Sequence, residues 1–427
     1  MKYGESQDQE HDSDTPEKEE YSFMQETIKD ETGSGKRVWK LIMKYIGLGF
    51  IFGAAACCSF YALRPVMEEY FHDDPQEVTI PEEEEEEIPE EENEESTEAQ
   101  TPVFTIDNYR EMNRVLYEVA YNASKSVVEI TSEESTQEWQ NKGYDENNSV
   151  AGVIVFDNGR ELLIFGKSNV VKDTESLSVT FADGRSYPAE LKQMDGVLGF
   201  AIYSVERSSI EETTWNQIQV AKLGSSNSVG KGDGVIALGK PFGYYGSVGY
   251  GVNSFAKNKV VKEDGEYGLL CTDIAAASNG TGVLINTQGE VVGMIDQSIS
   301  EQDSMNLVTA YGISDVKEII ELLSNNNLVP YIGITGVTVT EVLAQQQEMP
   351  RGVYVQEVEV DSPAMKAGIQ SGDVITSIGE TEITTLDAYH EELMNRREGQ
   401  KVTITGKRQG AGGYVDIEFT VTIGSKQ

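Results

Sequence analysis

From Ser126 onward the chain is written in short runs rich in β-branched residues: "SVVEI", "AGVIVF", "ELLIF", "LSVTFADGRSYPAEL", "GFAIYSV" and "GVIALG". Gly, Asn and Asp break the runs. Many closely spaced strands punctuated by turn residues suggest a sandwich or a barrel. The pattern then yields to a helix over "SDVKEIIELLSNNN", where Val316, Ile319, Ile320 and Leu323 keep helical spacing and the asparagines end it. A different unit begins near Leu328. There "YIGITG" is followed by strands "GVYVQEV" and "DVITSIG", with the small-residue helix "SPAMKAGI" between them. A second helix near Leu386–Arg396 leads to "KVTITGKRQG" and "VDIEFTVTI".

The chain ahead of Ser126 reads differently. Residues 1–35 are polar and charged and predict a disordered tail. Tyr45–Leu63 gives 19 consecutive uncharged, mostly apolar residues, enough to cross a hydrocarbon core at about 1.5 Å per residue. Lys36, Arg37, Lys40 and Lys44 precede it, so the positive-inside bias puts the N-terminus in the cytoplasm and residues 65–427 outside. The anchor is taken as 36–64 and as uncleaved. Residues 65–104 then form an acidic spacer that includes "EEEEEE" (Glu82–Glu87), which self-repels and stays extended. In "IDNYREMNRVLYEVAYNAS", Met112, Val115, Leu116 and Val119 predict a helix that packs on its own domain or on another subunit.

A formal charge of −40 argues against nucleic acid as a partner. Three cysteines, Cys57, Cys58 and Cys271, make no disulfide framework, and Cys271 reads as a small buried hydrophobe. No residues have metal-ligand spacing, and no cofactor is implied.

Two stretches carry a family likeness. "VAKLGSSNSVGKGDGVIALGKPFG" (220–243) resembles the strand and Gly-Asn-Pro-Phe-Gly turn of HtrA (DegP-like) proteases, here Gly239-Lys240-Pro241-Phe242-Gly243. "GVYVQEVEVDSPAMKAGIQSGDVITSIGE" (352–380) resembles the heart of a bacterial PDZ domain. The resemblance implies a mainly β chain: a trypsin-like double β-barrel over 105–326, then a PDZ domain over 327–427, behind one N-terminal transmembrane helix. It also implies a site in the cleft between the barrels and, often, a homotrimer.

That chemistry needs a hydroxyl nucleophile, an imidazole to take its proton and a carboxylate to orient the imidazole. The family's histidine opens a His-Val-Val run; the matching text "NVVKDTESLSVTFADGR" puts Asn169 there. An amide cannot serve as a general base near neutral pH. The family's acid falls on Gly199 in "LGFAIYSV", and its serine falls on Gly280 in Ser278-Asn279-Gly280-Thr281-Gly282. Ser278 and Thr281 offer displaced hydroxyls, but the chain's histidines are His11, His72 and His390, none between 105 and 326. A Ser-Lys substitute would draw on Lys167, Lys172 or Lys240, and nothing in the spacing favours it. No catalytic residue is therefore expected.

By the same resemblance, Tyr331-Ile332-Gly333-Ile334 is the loop whose backbone N–H groups hold a peptide's terminal carboxylate. Gly333 permits the close backbone approach, and His390 is expected to lie exposed on its helix. The function expected is that of a membrane-anchored extracytoplasmic pseudoprotease that binds peptides or unfolded segments as adaptor, sensor or holdase. Two alternatives stand beside it: an active HtrA-type serine endopeptidase of envelope protein quality control, and a regulatory subunit assembling with an active relative.

Overall fold

The barrel strands run from 5 residues (Ser176–Thr180) to 16 (Ser247–Lys262), with Gly, Asn or Asp in many of the turns between them. The computed structural model describes Trp39, Met43, Lys44 and residues 76–80, 105–133, 149–171, 176–299 and 306–427. The expected tail (1–35) and nearly all of the expected anchor (36–64) lie outside the described residues. Among the described residues no helix is long and apolar enough to cross a membrane. The chain divides into two units, Met1–Asp73 and Asp74–Gln427, and the architecture below belongs to the second.

The first barrel comprises β1 (Val127–Glu133), β2 (Ser149–Asp157), β3 (Glu161–Lys167), β4 (Ser176–Thr180), β5 (Ser186–Asp195) and β6 (Phe200–Glu206), closed in the order β1-β2-β3-β6-β5-β4. The second comprises β7 (Gly234–Lys240), β8 (Ser247–Lys262), β9 (Gly265–Ala275), β10 (Thr281–Ile285), β11 (Val291–Asp296) and β12 (Leu307–Gly312), closed as β10-β11-β12-β9-β8-β7. Alternate residues of a strand point to opposite faces, and the buried residues divide accordingly. Val128, Ile130, Ile154, Ile164 and Tyr203 fill the first barrel, while Val235, Ala237, Leu284 and Val308 fill the second. Their strand neighbours Val153, Phe165, Ile202, Ile236, Leu238 and Val283 turn outward into a third cluster. That cluster is shared with Ile313, Val316 and Ile320 of the helix Ile313–Ser324. A strand buried on both faces explains the near-continuous apolar run "ELLIF".

The helix predicted from Met112, Val115, Leu116 and Val119 is α1, Ile106–Ser124, capped by Thr105, whose Oγ1 accepts from the Asn108 amide. Leu116 and Val119 pack against the core, whereas Met112 and Val115 are exposed. Helix Ile313–Ser324 is α2. Part of the acidic segment read as an unpacked spacer is docked against it. Val78 is buried and its amide donates to Asn325 Oδ1 at 2.9 Å, while the Ile80 amide reaches Glu321 Oε2 at 3.1 Å. These two apolar residues interrupt the acidic run and give it something to bury.

The remaining strands, β13 (Ile334–Thr338), β14 (Val353–Val358), β15 (Val374–Ile378), β16 (Thr381–Glu382), β17 (Lys401–Gly410) and β18 (Gly413–Thr422), form one antiparallel sheet in the order β13-β14-β15-β17-β18, with β16 on β15. Helices α3 (Glu341–Gln347), α4 (Pro363–Ala367) and α5 (Leu386–Met394) complete this unit. Ser362 caps α4 through the Met365 amide and Thr385 caps α5 through the Ala388 amide, so each start is fixed by a local hydroxyl.

Candidate functional site

The interbarrel site is assembled at strand ends. Asn169 opens a 3-10 turn, Asn169–Val171, just after β3, and its side chain is exposed. Gly199 stands before β6 with φ +68°, closing a turn in which Asp195 accepts from the Val197 and Leu198 amides. Gly280 stands before β10 and is buried. Lys167 and Asp296 link these positions. Thr281 is registered opposite Asp296, and Lys167 Nζ lies 2.6 Å from Asp296 Oδ2. The same ammonium donates to the Leu198 carbonyl at 3.0 Å and sits 4.7 Å from the centre of the Phe200 ring. A Cβ added at Gly199 would lie 3.2 Å from that nitrogen. A buried cation thus stands beside the position that the family likeness gives to the acid.

The pair is well sheltered, with side-chain exposures of 14% for Lys167 and 5% for Asp296. Asp296 Oδ1 is occupied too, accepting from the Ser298 amide and hydroxyl at 2.9 and 2.7 Å. Lys167 is committed as a donor and offers no lone pair to a nucleophile. At Lys240, Nζ donates to the Ser149 carbonyl at 3.1 Å and to its Oγ at 3.0 Å. Activating that hydroxyl would require the opposite direction, with Oγ donating to nitrogen. Lys172 lies outside the described residues.

The displaced hydroxyls fare no better. Thr281 Oγ1 accepts from the Ala151 amide at 2.9 Å and so ties the second barrel to β2. Ser278 is exposed at the lip of a turn in which the Ala277 amide donates to Pro241 O and the Gly280 amide donates to Ala277 O, both at 2.9 Å. An oxyanion hole needs amides aimed at open space. Here the Gly280 amide is turned inward, onto Ala277 O.

The PDZ loop is assembled around an unforeseen residue. Asp264, at the β8–β9 hairpin tip, is 4% exposed and points its carboxylate into the loop. Oδ2 accepts from the Ile332 and Gly333 amides, both at 2.7 Å, and Oδ1 accepts from the Ile334 amide at 3.2 Å and the Tyr389 hydroxyl at 2.8 Å. Of the four loop residues expected to hold a carboxylate, Ile332, Gly333 and Ile334 therefore converge on one. The Tyr331 amide instead donates to Gly424 O at 2.9 Å, within an isolated bridge. Gly333 has φ +88°, and a Cβ there would come within 2.5 Å of Ser362 Cβ. Burial pushes the Asp264 carboxyl above its ordinary value, with the three amides and the Tyr389 hydroxyl pulling back.

His390 departs from the exposed placement expected of it. It is half-buried, and its Nδ1 lies 2.9 Å from the Asp264 carbonyl oxygen, because α5 packs against β9. Cys271 is likewise only half-buried, with Asn258 Nδ2 3.5 Å from its sulfur. Asp264, Tyr389 and Asp296 went unrecognised in sequence, and Lys167 enters there only as a candidate base. The one local cue was the "EDG" hairpin turn at 263–265.

A trypsin-type double barrel joined to a PDZ sheet is the class of protein these parts define. Family models agree: a trypsin-like peptidase domain matches residues 150–294 and a PDZ domain matches 330–419. Serine protease Do-like HtrB of Bacillus subtilis is 30% identical over 280 residues, which is 61% of this chain and 59% of that protein. Periplasmic serine endoprotease DegP of Salmonella typhimurium is 27% identical over 259 residues, 59% of this chain and 53% of that protein. The chain thus spans somewhat over half the length of the curated relatives it matches. Among solved structures, the HtrA-type protease AlgW with a decapeptide aligns with 73% of this chain and 99% of its own, at TM-score 0.51 and 20% identity. This chain belongs to the HtrA/DegP-like family of trypsin-fold serine proteases with a PDZ domain.

Proposed function

We propose that the chain is a membrane-anchored, extracytoplasmic pseudoprotease that binds peptide termini or unfolded segments through its PDZ unit without cleaving them. The observation that carries the reading is the interbarrel centre. Asn169, Gly199 and Gly280 stand where the family likeness puts the triad, and the largely buried Lys167–Asp296 pair lies among them. Among the described residues no imidazole stands in the interbarrel site and the Gly280 amide is bonded to Ala277, which supports binding over acyl transfer. Binding then remains as adaptor, sensor or holdase work. In this reading 45–63 crosses the membrane and the folded domains lie outside.

The names of the relatives, serine proteases and endoproteases, favour a second reading as an active endopeptidase. Incubating the purified chain with an unfolded protein separates the two. No time-dependent fragments are expected. Fragments abolished by Ser278→Ala/Thr281→Ala, or by Lys240→Ala, would establish the active enzyme instead. Exposed Ile106, Tyr109, Met112, Tyr117 and Tyr121 along α1 favour assembly as well, as a homotrimer or with an active relative. Mass measurement of the chain alone and mixed with such a relative tests that.

A further inference from the structure

We infer that the β8–β9 hairpin tip is an internal ligand of the PDZ loop, so that an incoming chain terminus binds only by displacing Asp264. The inference rests on the peptide-binding reading above and adds its regulation.

The contacts reproduce what a terminal carboxylate would need. Amides of Ile332, Gly333 and Ile334 converge on the Asp264 carboxylate. Backbone pairing accompanies them, since the Asp264 amide donates to Ile334 O at 2.7 Å, as the last residue of an added strand would. Helix α5 holds the tip from the other side through the Tyr389 hydroxyl and His390 Nδ1. Val261, on the same hairpin, packs against the apolar core of the PDZ unit. Two ion pairs flank the insertion: Lys426 Nζ reaches Glu263 at 2.6 Å, and Lys259 Nζ reaches Asp387 at 3.4 Å.

The tight turn at the tip is what aims the carboxylate at the loop. Asp264 has φ +61°, in the left-handed region that a tight hairpin turn uses and that aspartate tolerates better than most non-glycine residues. One carboxylate fills the amide cradle, so Asp264 and a peptide carboxylate exclude each other. A tethered competitor acts at an effective concentration on the order of millimolar. The affinity observed for a free peptide is the intrinsic affinity reduced by the fraction of molecules with the hairpin withdrawn.

The test uses the full chain, wild type and Asp264→Gly, a change that removes the carboxylate while suiting the positive φ. The probe is a fluorescent decapeptide pool with random residues at a free C-terminus, beside the same pool amidated. Asp264→Gly should bind the free-acid pool at least about tenfold more tightly than wild type and should ignore the amidated pool. Tyr389→Phe, which removes one donor to Asp264, should give a smaller gain. In wild type, saturating free-acid peptide should speed amide exchange over 259–266. Equal binding by wild type and Asp264→Gly would overturn the competition and leave peptide binding intact. If neither chain binds, yet the 332–334 amides lose protection in Asp264→Gly, peptide recognition and displacement both fall and the tip is a structural staple.

Discussion

Lys167 Nζ lies 2.6 Å from Asp296 Oδ2, which ties the end of β3 in one barrel to the end of β11 in the other. Removing one partner of a buried pair strands the other charge away from water, at a penalty of about 3–5 kcal/mol. Lys167→Met should therefore lower unfolding stability by about that much, measured by urea denaturation. Adding Asp296→Asn to Lys167→Met should restore most of the loss, because the stranded group is then neutral. A Lys167→Met chain as stable as wild type would mean that the pair is solvated.

Thr281 follows the position that the family likeness gives to the nucleophile and spends its hydroxyl on the Ala151 amide. Thr281→Val keeps the shape and leaves that buried N–H without its acceptor. The expected loss is about 1–3 kcal/mol of stability. Thr281→Ser, which keeps the oxygen, should lose less. Equal destabilisation by Val and Ser would show that the methyl matters and the bond does not.

Much of this architecture is legible in sequence because it is local. β-branched runs closed by Gly, Asn or Asp mark the barrel strands, and Ser362 with Pro363 and Thr385 with Leu386 mark helix starts in the PDZ unit. What escapes is non-local. Nothing local in "VKEDGEYG" beyond its turn marks Asp264, which is buried by partners 68 to 125 residues away. Lys167 and Asp296 are 129 residues apart, and no spacing rule brings an end of β3 to an end of β11. His390 escapes for the same reason: its neighbour is a hairpin of the other domain.

Placing the family's triad residues at 169, 199 and 280 should not by itself confer cleavage. A Cβ at Gly280 would come within 2.7 Å of Pro241 O and 3.0 Å of Ala277 O, so a serine requires the 277–280 turn to open. An aspartate at 199 would have its Cβ 3.2 Å from Lys167 Nζ, a ready partner for the new carboxylate. Asn169→His/Gly199→Asp/Gly280→Ser is thus expected to remain inactive on an unfolded substrate, with overpacking at 280 destabilising it by about 1–3 kcal/mol. Robust turnover by the triple variant would mean that the turn opens freely.

Acid should stabilise the fold down to about pH 5. Burial is the leading cause that raises Asp195, Asp264, Asp315 and Glu318 above their ordinary values, 3.8 for aspartate and 4.5 for glutamate. Glu263 adds to the rise at Asp195, Asp387 to that at Asp315, and Glu321 and Glu391 to that at Glu318. Lys167 opposes it at Asp195, Lys259 and His390 at Asp315, and His390 at Glu318. A carboxyl with a raised folded value binds its proton more tightly in the fold than in the unfolded chain. Its contribution is complete below the unfolded value and is lost as pH rises through the folded one. At Glu263 burial raises the value, but the Lys426 hydrogen bond and charge outweigh it and hold the group below 4.5. That stability is lost only at lower pH, outside the range tested. Lowering pH from 7.5 to 5 also begins to relieve the self-repulsion of a chain with formal charge −40. Calorimetry should find Tm higher at pH 5 than at pH 7.5. A steady fall in Tm across that range would mean that these carboxyls are ionised and satisfied in the fold.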